Sequence, residues 1–235
     1  MQKSTVAQIR ERFDNDVERF SNLDTGQIST IDAKISLELI TESAKRIVPN
    51  AINLLDVGCG AGNYTLMMLG KLPGLNCTLL DLSQPMLTRA LERVSPNTTG
   101  SVATVCADIR EAGLEEGSYD IILAGAVLHH LRDDADWETT FTKLYNLLKP
   151  GGCLMISDLI IQETDAITGY TWERYGDYLE GVNGADYRKH VLDYIAMEDS
   201  PRSMTYQLDL MKRVGFTKTE ILHKNMCFGA FGGVK

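Results

Sequence analysis

The sequence lacks several features that would each indicate a particular class of protein. Its longest apolar run, residues 121–128, is far shorter than the roughly 20 residues that a transmembrane helix needs. The first residues contain no apolar stretch of the kind that a secretory signal peptide carries. The five cysteines are an odd number without a Cys-x-x-Cys pair, which argues against a disulfide framework and a zinc site. We therefore expect a cytoplasmic protein without a membrane partner or a bound metal.

Positive charge is also scarce. The chain carries 23 Lys and Arg against 32 Asp and Glu, for a formal net charge of −9. Proteins that bind a phosphate backbone tightly usually show a basic footprint, so a long nucleic acid is a disfavoured partner. At 235 residues, of which 44% are hydrophobic, the chain can bury a core without disulfides or metals. A homodimer is left open, because no pattern in the sequence decides the oligomeric state.

The sequence does contain an alternation of short apolar runs with helical patterns. Strands are predicted over residues 51–57, 76–80, 102–106, 119–124 and 153–157, with helices over 63–71, 83–94 and 134–148. This alternation predicts a parallel sheet with helices on both faces. Ligands of such sheets bind at the carboxyl ends of the strands, so the informative side chains should follow each strand.

Helical patterns also flank this core. Residues 5–20 and 30–48 precede it, and residues 163–206, which hold six of the nine tyrosines, follow strand five. A helix over 208–214 and closing strands over 216–223 and 227–234 complete the pattern. We predict one domain in four parts: a helical lid region (1–50), a cofactor-binding core (51–160), a helical cap insertion (161–210) and closing strands (211–235).

The strongest local signal is the glycine-rich turn Leu54–Gly62, with glycines at 58, 60 and 62. Glycines after a strand let the backbone approach a ligand closely, and the next helix begins with unpaired N–H groups, which predicts a nucleotide site. A dinucleotide fingerprint needs a third glycine at the position of Asn63, so a nicotinamide-dependent oxidoreductase is disfavoured. No Gly-Lys-Ser/Thr follows, which excludes a P-loop. Asp56 before the first glycine would repel a pyrophosphate but suits an α-ammonium group.

This turn resembles the first motif of the class I S-adenosylmethionine-dependent methyltransferases. Asp81 matches the acidic residue that receives the two ribose hydroxyls, and Asp108 and Ile109 match the pair beside the adenine. Residues 148–152 resemble the turn before strand five. The resemblance implies an α/β fold with a Rossmann-like, seven-stranded, mostly parallel sheet, an antiparallel C-terminal hairpin, and S-adenosylmethionine as cofactor. The cofactor-binding residues that it implies are Asp56, Gly58, Cys59, Gly60, Gly62, Asp81, Leu82, Asp108, Ile109 and Ala124.

The acceptor side is predicted from residues that follow strands four and five. The resemblance places residues 125–131 beside the methionine part of the cofactor. Methyl transfer needs orientation, and a base if the nucleophile carries a proton. His129 is the candidate base because histidine titrates near neutrality, although a purely structural role stays open. The predicted pocket for a small-molecule acceptor consists of His129, His130, Asp158, Phe13 from the N-terminal helix, and Tyr175 and Tyr178 from the insertion.

Two alternatives remain open. The lid helix, the insertion after strand five and the closing strand 227–231 also resemble the carboxy-S-adenosylmethionine synthases of tRNA wobble modification. The added carboxylate of their product would need a cation, for which Arg174, Arg188 and Arg202 are the candidates. The second alternative is a non-catalytic S-adenosylmethionine-binding partner subunit. No motif decides the acceptor's nucleophilic atom.

Overall fold

A computed structural model describes residues 3–22 and 26–235. Its strands form one seven-stranded sheet in the order β3-β2-β1-β4-β5-β7-β6. Strands β1 to β5 are parallel, whereas β7 runs antiparallel to both β5 and β6. The predicted fold class is thereby confirmed. The strands are β1 (Asn53–Val57), β2 (Asn76–Asp81), β3 (Val102–Cys106), β4 (Tyr119–Gly125), β5 (Leu148–Leu159), β6 (Lys218–Asn225) and β7 (Phe228–Val234).

The helices cover both faces of this sheet and the carboxyl ends of its parallel strands. Short 3-10 turns at Ser95–Asn97 and Leu128–His130 complete the regular structure of the described ranges. No helix in these ranges combines the length and apolar character needed to cross a membrane. The helices are α1 (Val6–Asp14), α2 (Val17–Ser21), α3 (Ala33–Ile47), α4 (Asn63–Leu69), α5 (Gln84–Val94), α6 (Asp134–Leu147), α7 (Asp165–Glu198) and α8 (Met204–Val214).

The core lies on both faces of the sheet because alternate side chains of a strand point to opposite faces. In β4, Ile122 and Ala124 join a cluster on the face that α6 and α8 cover, around the buried Trp137. Ile121 and Leu123 join the cluster on the other face, which α3, α4 and α5 cover. With both faces covered, the carboxyl ends of the parallel strands are left for the ligand.

The structure corrects the predicted bounds of the N-terminal helix and of strand five. The single helix predicted over residues 5–20 is broken into α1 and α2, because Asn15 caps α1 and its side-chain amide donates to the Glu11 carbonyl at 2.8 Å. An asparagine that hydrogen-bonds locally competes with helix continuation in this way. Strand β5 begins at Leu148 and not at Cys153, because Leu148 pairs with Tyr119 across a bulge. Residues 148–152 therefore enter the strand instead of forming a separate turn.

The region predicted as helical between strand five and the closing strands consists mainly of α7, which bends in its middle. Asn183 and Gly184 leave helical geometry there, and Gly184 has φ +82°. On either side of the bend, Tyr175, Leu179 and Val191 form a small cluster with Phe228 of β7. Helix α8 begins at Met204, earlier than the predicted residue 208, because Ser203 caps it.

Candidate active site

The glycine turn packs closely on its surroundings at Gly58 and Gly62 and is open between them at Gly60. Gly58, Gly60 and Gly62 all have positive φ, at +65°, +49° and +84°. A Cβ on Gly58 would lie 2.5 Å from Cγ2 of Val127, whereas a Cβ on Gly60 would meet nothing within 4 Å. Gly58, Cys59 and Gly60 line a cavity at the carboxyl ends of the strands. The turn thus presents backbone to a ligand at Gly60.

Asp81, at the end of β2, supports this turn and lines the same cavity. Its Oδ2 accepts a hydrogen bond from the Gly60 N–H at 2.8 Å, and its Oδ1 accepts one from the Ser83 N–H at 2.9 Å. Burial raises the pKa of Asp81, and these N–H donors oppose the rise. Each carboxylate oxygen keeps acceptor capacity, since a carboxylate offers about four lone-pair sites. The geometry suits a ligand that brings two hydroxyl donors.

Asp108 and Ile109 also line the cavity, together with Leu82 after β2. The guanidinium of Arg110 donates to both oxygens of Asp108, through Nε at 3.0 Å and Nη2 at 2.6 Å. Burial would raise the pKa of Asp108, but the hydrogen bonds and charge of Arg110 outweigh it and lower the pKa. This side of the cavity therefore combines a fixed anion with the buried apolar side chain of Ile109.

Three residues that the resemblance implied for the cofactor do not line the cavity. The carboxylate of Asp56 turns to α4, where its Oδ2 accepts from the backbone N–H and the hydroxyl of Thr65 at 3.1 and 2.6 Å. Burial raises the pKa of Asp56 to about 7. Ala124 lies in the sheet core, and a Cβ on Gly62 would meet Val94 at 2.9 Å. The contacts of Asp56 and Gly62 join the turn to the helices α4 and α5.

Helix α1 closes one side of the cavity. Thr5 and the side chain of Gln8 form a capping box at its start. Arg12 binds Glu198, the last residue of α7, with Nη2 2.6 Å from Oε2 and Nε 2.9 Å from both carboxylate oxygens. Such a forked pair fixes orientation as well as distance. It holds Phe13 at the cavity wall, where its ring lies 5.9 Å from that of His130.

His129, which follows β4, and Asp158, near the end of β5, meet in the wall of the cavity. His129 Nδ1 makes a short contact with Asp158 Oδ1, and the His129 N–H donates to Oδ2 at 3.1 Å. Burial would lower the pKa of His129, but Asp158 and Asp199 raise it to about 9. A protonated imidazole does not accept a proton, so this pairing disfavours His129 as a general base at neutral pH.

The Nδ1 atom of His130 lies 3.1 Å from Oδ1 of Asp199, the second carboxylate that raises the pKa of His129. Burial and the neighbouring His129 lower the pKa of His130. Asp199 follows the C-terminus of α7 and was not identified from the sequence. Because it follows a helix and not a strand, the sequence pattern offered no signal for it.

The cap contributes Tyr175 to the cavity but not Tyr178. The hydroxyl of Tyr175 donates to the Ser29 carbonyl at 2.8 Å, and that of Tyr178 donates to the Ile28 carbonyl at 2.9 Å. Both tyrosines thus tie the cap to the segment before α3. Other lining side chains that the sequence did not single out include Phe20, Gln27, Tyr64 and Tyr194. Of these, Tyr64 lies two residues after the glycine turn and could have been noticed.

Comparison with known proteins agrees with this geometry. The fold is that of the class I S-adenosylmethionine-dependent methyltransferases among the solved structures, as the motifs predict. A family model described as a methyltransferase domain matches residues 55–154, so the chain carries that domain. S-adenosylmethionine is the cofactor of this class, and that prediction is confirmed as well.

Three relatives show how far the similarity extends. A malonyl-(acyl-carrier protein) O-methyltransferase of Priestia megaterium is 29% identical over 149 residues, which are 63% of this chain and 50% of that protein. A carboxy-S-adenosyl-L-methionine synthase of a Shewanella species is 26% identical over 204 residues, 85% of this chain and 82% of that one. The 1,6-didemethyltoxoflavin-N1-methyltransferase of Burkholderia thailandensis, solved with its substrate and S-adenosylhomocysteine, has a TM-score of 0.66 at 17% identity and covers 97% of this chain and 88% of its own. The chain thus spans half the length of the first relative and most of the other two.

Proposed function

We propose that this protein transfers a methyl group from S-adenosylmethionine to a small-molecule acceptor. The observation that carries the proposal is a single cavity that the glycine turn and Asp81 line at one end and His129, Asp158 and Tyr175 at the other. The Burkholderia protein, which has a similar fold, is named for methyl transfer to 1,6-didemethyltoxoflavin.

In this proposal the cofactor lies along the glycine turn. Asp81 receives the ribose hydroxyls, and Ile109 and Leu82 contact the adenine. Arg110 donates hydrogen bonds to both carboxylate oxygens of Asp108 and fixes their position. Asp108 therefore accepts a hydrogen bond from the adenine edge. Asp56 acts on the turn through Thr65 without touching the cofactor.

The transfer itself is an in-line displacement at a methyl group that the sulfonium already activates. The heteroatom of the acceptor donates an electron pair to the methyl carbon, and the carbon–sulfur bond breaks with its electron pair going to sulfur. The protein mainly has to orient the two reactants and exclude water. Phe13 on α1 and Tyr175 on α7 supply apolar walls for that purpose.

The main alternative is carboxy-S-adenosylmethionine synthesis, because the similarity to the Shewanella synthase extends over most of both chains. The three arginines predicted for its carboxylate do not line the cavity. Arg174 and Arg188 bind acidic residues of α7, and Arg202 binds Asp134. The three arginines that do line the cavity already hold carboxylates, Arg12 that of Glu198, Arg19 that of Asp16, and Arg110 those of Asp108 and Asp136. These pairings favour the unmodified cofactor.

Three measurements test the proposal and its alternatives. Titration with S-adenosylmethionine, S-adenosylhomocysteine and NAD should show binding of the first two only. Mass spectrometry of ligand released from the purified protein should show the unmodified cofactor or S-adenosylhomocysteine, whereas the carboxylated form would favour the synthase. Incubation with methyl-labelled cofactor and a cell extract should label the small-molecule fraction. Label in the macromolecular fraction would contradict a small acceptor, and binding without any transfer would indicate the partner-subunit alternative. The cytoplasmic location, and the disfavoured nucleic acid, remain predictions.

A further inference from the structure

Three donor atoms converge in the wall of the cavity that the glycine turn also lines. Asp199 Oδ1 lies 3.1 Å from His130 Nδ1 and 3.7 Å from His129 Nε2. One donor atom from each of the three side chains lies within 4.8 Å of the other two. They come from two elements far apart in the chain, the 3-10 turn after β4 and the end of α7. The tertiary fold alone therefore brings them together.

The orientation of His129 is set by Asp158. The Asp158 carboxylate is itself held, because its Oδ1 accepts from the Leu159 N–H at 2.8 Å and its Oδ2 from the His129 N–H at 3.1 Å. Its contact with His129 Nδ1 requires the ring hydrogen on that nitrogen. In the neutral ring, Nε2 then carries a lone pair, and it faces Asp199. A carboxylate that fixes a histidine in this way is the usual outer partner of a histidine metal ligand.

The other two donor atoms lack partners. Among the described residues, neither His130 Nδ1 nor Asp199 Oδ1 has a hydrogen bond of acceptable angle, although they lie within hydrogen-bonding distance of each other. Both side chains are largely shielded from solvent, with 17% and 2% of their surface exposed. Buried polar atoms are nearly always paired. A proton or a metal ion between these atoms would satisfy both of them.

We propose that His129, His130 and Asp199 bind one divalent transition-metal ion of the kind that imidazole prefers. Nitrogen and oxygen ligands about 2.0–2.2 Å from a tetrahedral Zn²⁺ lie roughly 3.3 Å apart, and the observed separations of 3.1 and 3.7 Å bracket that value. Two imidazoles and one carboxylate suit Zn²⁺ or Fe²⁺ and do not suit Mg²⁺, which takes oxygen ligands. This site departs from the sequence-based expectation of no metal, which considered cysteine spacing.

The basic side chains around the site fix its position and do not occupy it. Arg12 lies nearby but is committed to Glu198. Lys3 and Arg132 donate to the backbone carbonyls of Asp199 and Glu198, which fixes the chain that carries the third ligand. The competing occupant is a proton shared between His129 and Asp199, and binding of a metal would release it.

Three protein ligands leave a coordination position open, as in catalytic metal sites. All three line the cavity that also contains the glycine turn. This part of the inference rests on the proposed function: an acceptor hydroxyl or ring N–H at the open position would have its pKa lowered and would lose its proton to water. Its heteroatom then attacks the methyl carbon as the carbon–sulfur bond breaks. The acceptor would thus belong to the class with an ionisable O–H or N–H.

Metal binding can be measured without turnover. The purified full chain, treated with a chelator and dialysed, is titrated with Zn²⁺ by calorimetry and with Co²⁺ by visible absorption, with Mg²⁺ as comparison. We expect about one Zn²⁺ per chain and no Mg²⁺ binding. His130→Ala and Asp199→Asn should weaken Zn²⁺ binding at least tenfold. Asp158→Asn, which alters only the outer partner of His129, should weaken it about 10- to 100-fold.

His223→Ala is the matched control, because His223 also faces a carboxylate, with its Nε2 2.9 Å from Oδ2 of Asp32, but has no second histidine in its group. It should bind Zn²⁺ as the unaltered chain does. S-adenosylhomocysteine binding, measured on every variant, reports whether the fold is intact. Wild-type protein that binds no stoichiometric Zn²⁺, or folded Asp199→Asn that binds it unchanged, would overturn the site. If S-adenosylhomocysteine binds and Zn²⁺ does not, only this inference fails; the reverse result refutes the proposed cofactor use alone.

Discussion

At the scale of single residues, two aspartates at or next to the ends of neighbouring strands have different roles. Asp81 joins the glycine turn to the start of α5 and still faces the cavity. Asp56 is fully enclosed and holds the first turn of α4 through Thr65. Both positions follow from the same sequence pattern, an acid at the end of an apolar strand. What separates them is the direction of the side chain, which depends on the packing of the neighbouring helix.

Replacement of Asp81 by alanine should weaken S-adenosylmethionine binding by about 1.5–3 kcal/mol, because hydrogen bonds to a charged group are lost. The dissociation constant measured by calorimetry would rise roughly 10- to 150-fold. Asp186→Ala, which alters an exposed aspartate of α7, is the matched control and should leave the constant unchanged. An unaltered affinity in Asp81→Ala would refute the role given to this carboxylate.

Asp56 should make the stability of the protein fall as the pH rises. Its pKa is about 7 in the folded chain and about 3.9 in an unfolded chain. Between these values the folded state binds more protons than the unfolded state, so the free energy of unfolding decreases with pH, by roughly 4 kcal/mol at most. Asp56→Asn should remove this component, since the amide does not titrate. Urea unfolding of both proteins between about pH 4 and 7 measures the difference, and parallel profiles would contradict the expectation.

At the scale of elements, α7 shows how a single residue can shape a cap. Its two halves enclose a small cluster because the helix bends at Asn183 and Gly184. Gly184, with φ +82° and ψ 177°, occupies a backbone region that is essentially restricted to glycine. Gly181, one turn earlier, lies in regular helix. The same residue type therefore has opposite effects at two neighbouring positions.

This difference predicts opposite results for two alanine substitutions. Gly184→Ala should lower the free energy of unfolding by about 1–3 kcal/mol, because alanine is strained in that conformation. Gly181→Ala should raise it by about 0.5–1 kcal/mol, because alanine is the better helix former. Neither added Cβ would meet another atom within 4 Å, so new side-chain contacts contribute to neither change in stability. Chemical denaturation of both variants measures the pair, and equal changes would show that the bend is not a fixed feature.

At the scale of the whole molecule, the cavity lies where the core, α1 and the cap meet. The core contributes the strand ends, α1 contributes Phe13, and the cap contributes Tyr175 and Asp199. Arg12 and Glu198 join α1 directly to the cap. A ligand in this cavity contacts all three parts and should stabilise them together.

The unfolding temperature should therefore rise when S-adenosylhomocysteine binds and should not change when NAD is added. S-adenosylhomocysteine at about 100 times its dissociation constant should stabilise the folded chain by about 2.7 kcal/mol. For a chain of this size that corresponds to a rise in Tm of about 5–11 °C. NAD at the same concentration is the control and should give no shift. A comparable shift with NAD would contradict the assignment of the glycine turn.

Much of the fold and the cofactor half of the site could be predicted because their signals are local. Strand β3 was predicted at its observed bounds, since its bounds are set by short-range polarity. Gly60 and Asp81 were identified because glycine and an acid after a strand have few other uses. The helix break at Asn15 and the start of β5 at Leu148 were missed, because a side-chain hydrogen bond and a cross-strand pairing decide them.

The sequence alone determined the class of fold, the cofactor and the strand ends that carry the glycine turn. These depend on periodicity and on residues within a few positions of one another. Only the tertiary structure decided that Asp56 turns away from the cavity and that Asp199 meets His129 and His130 in its wall. The physical reason is that a side chain's partners are set by how a helix packs on the sheet, and no local sequence pattern encodes that packing. The partner lies 9 positions away for Asp56 and Thr65 and 70 positions away for His129 and Asp199.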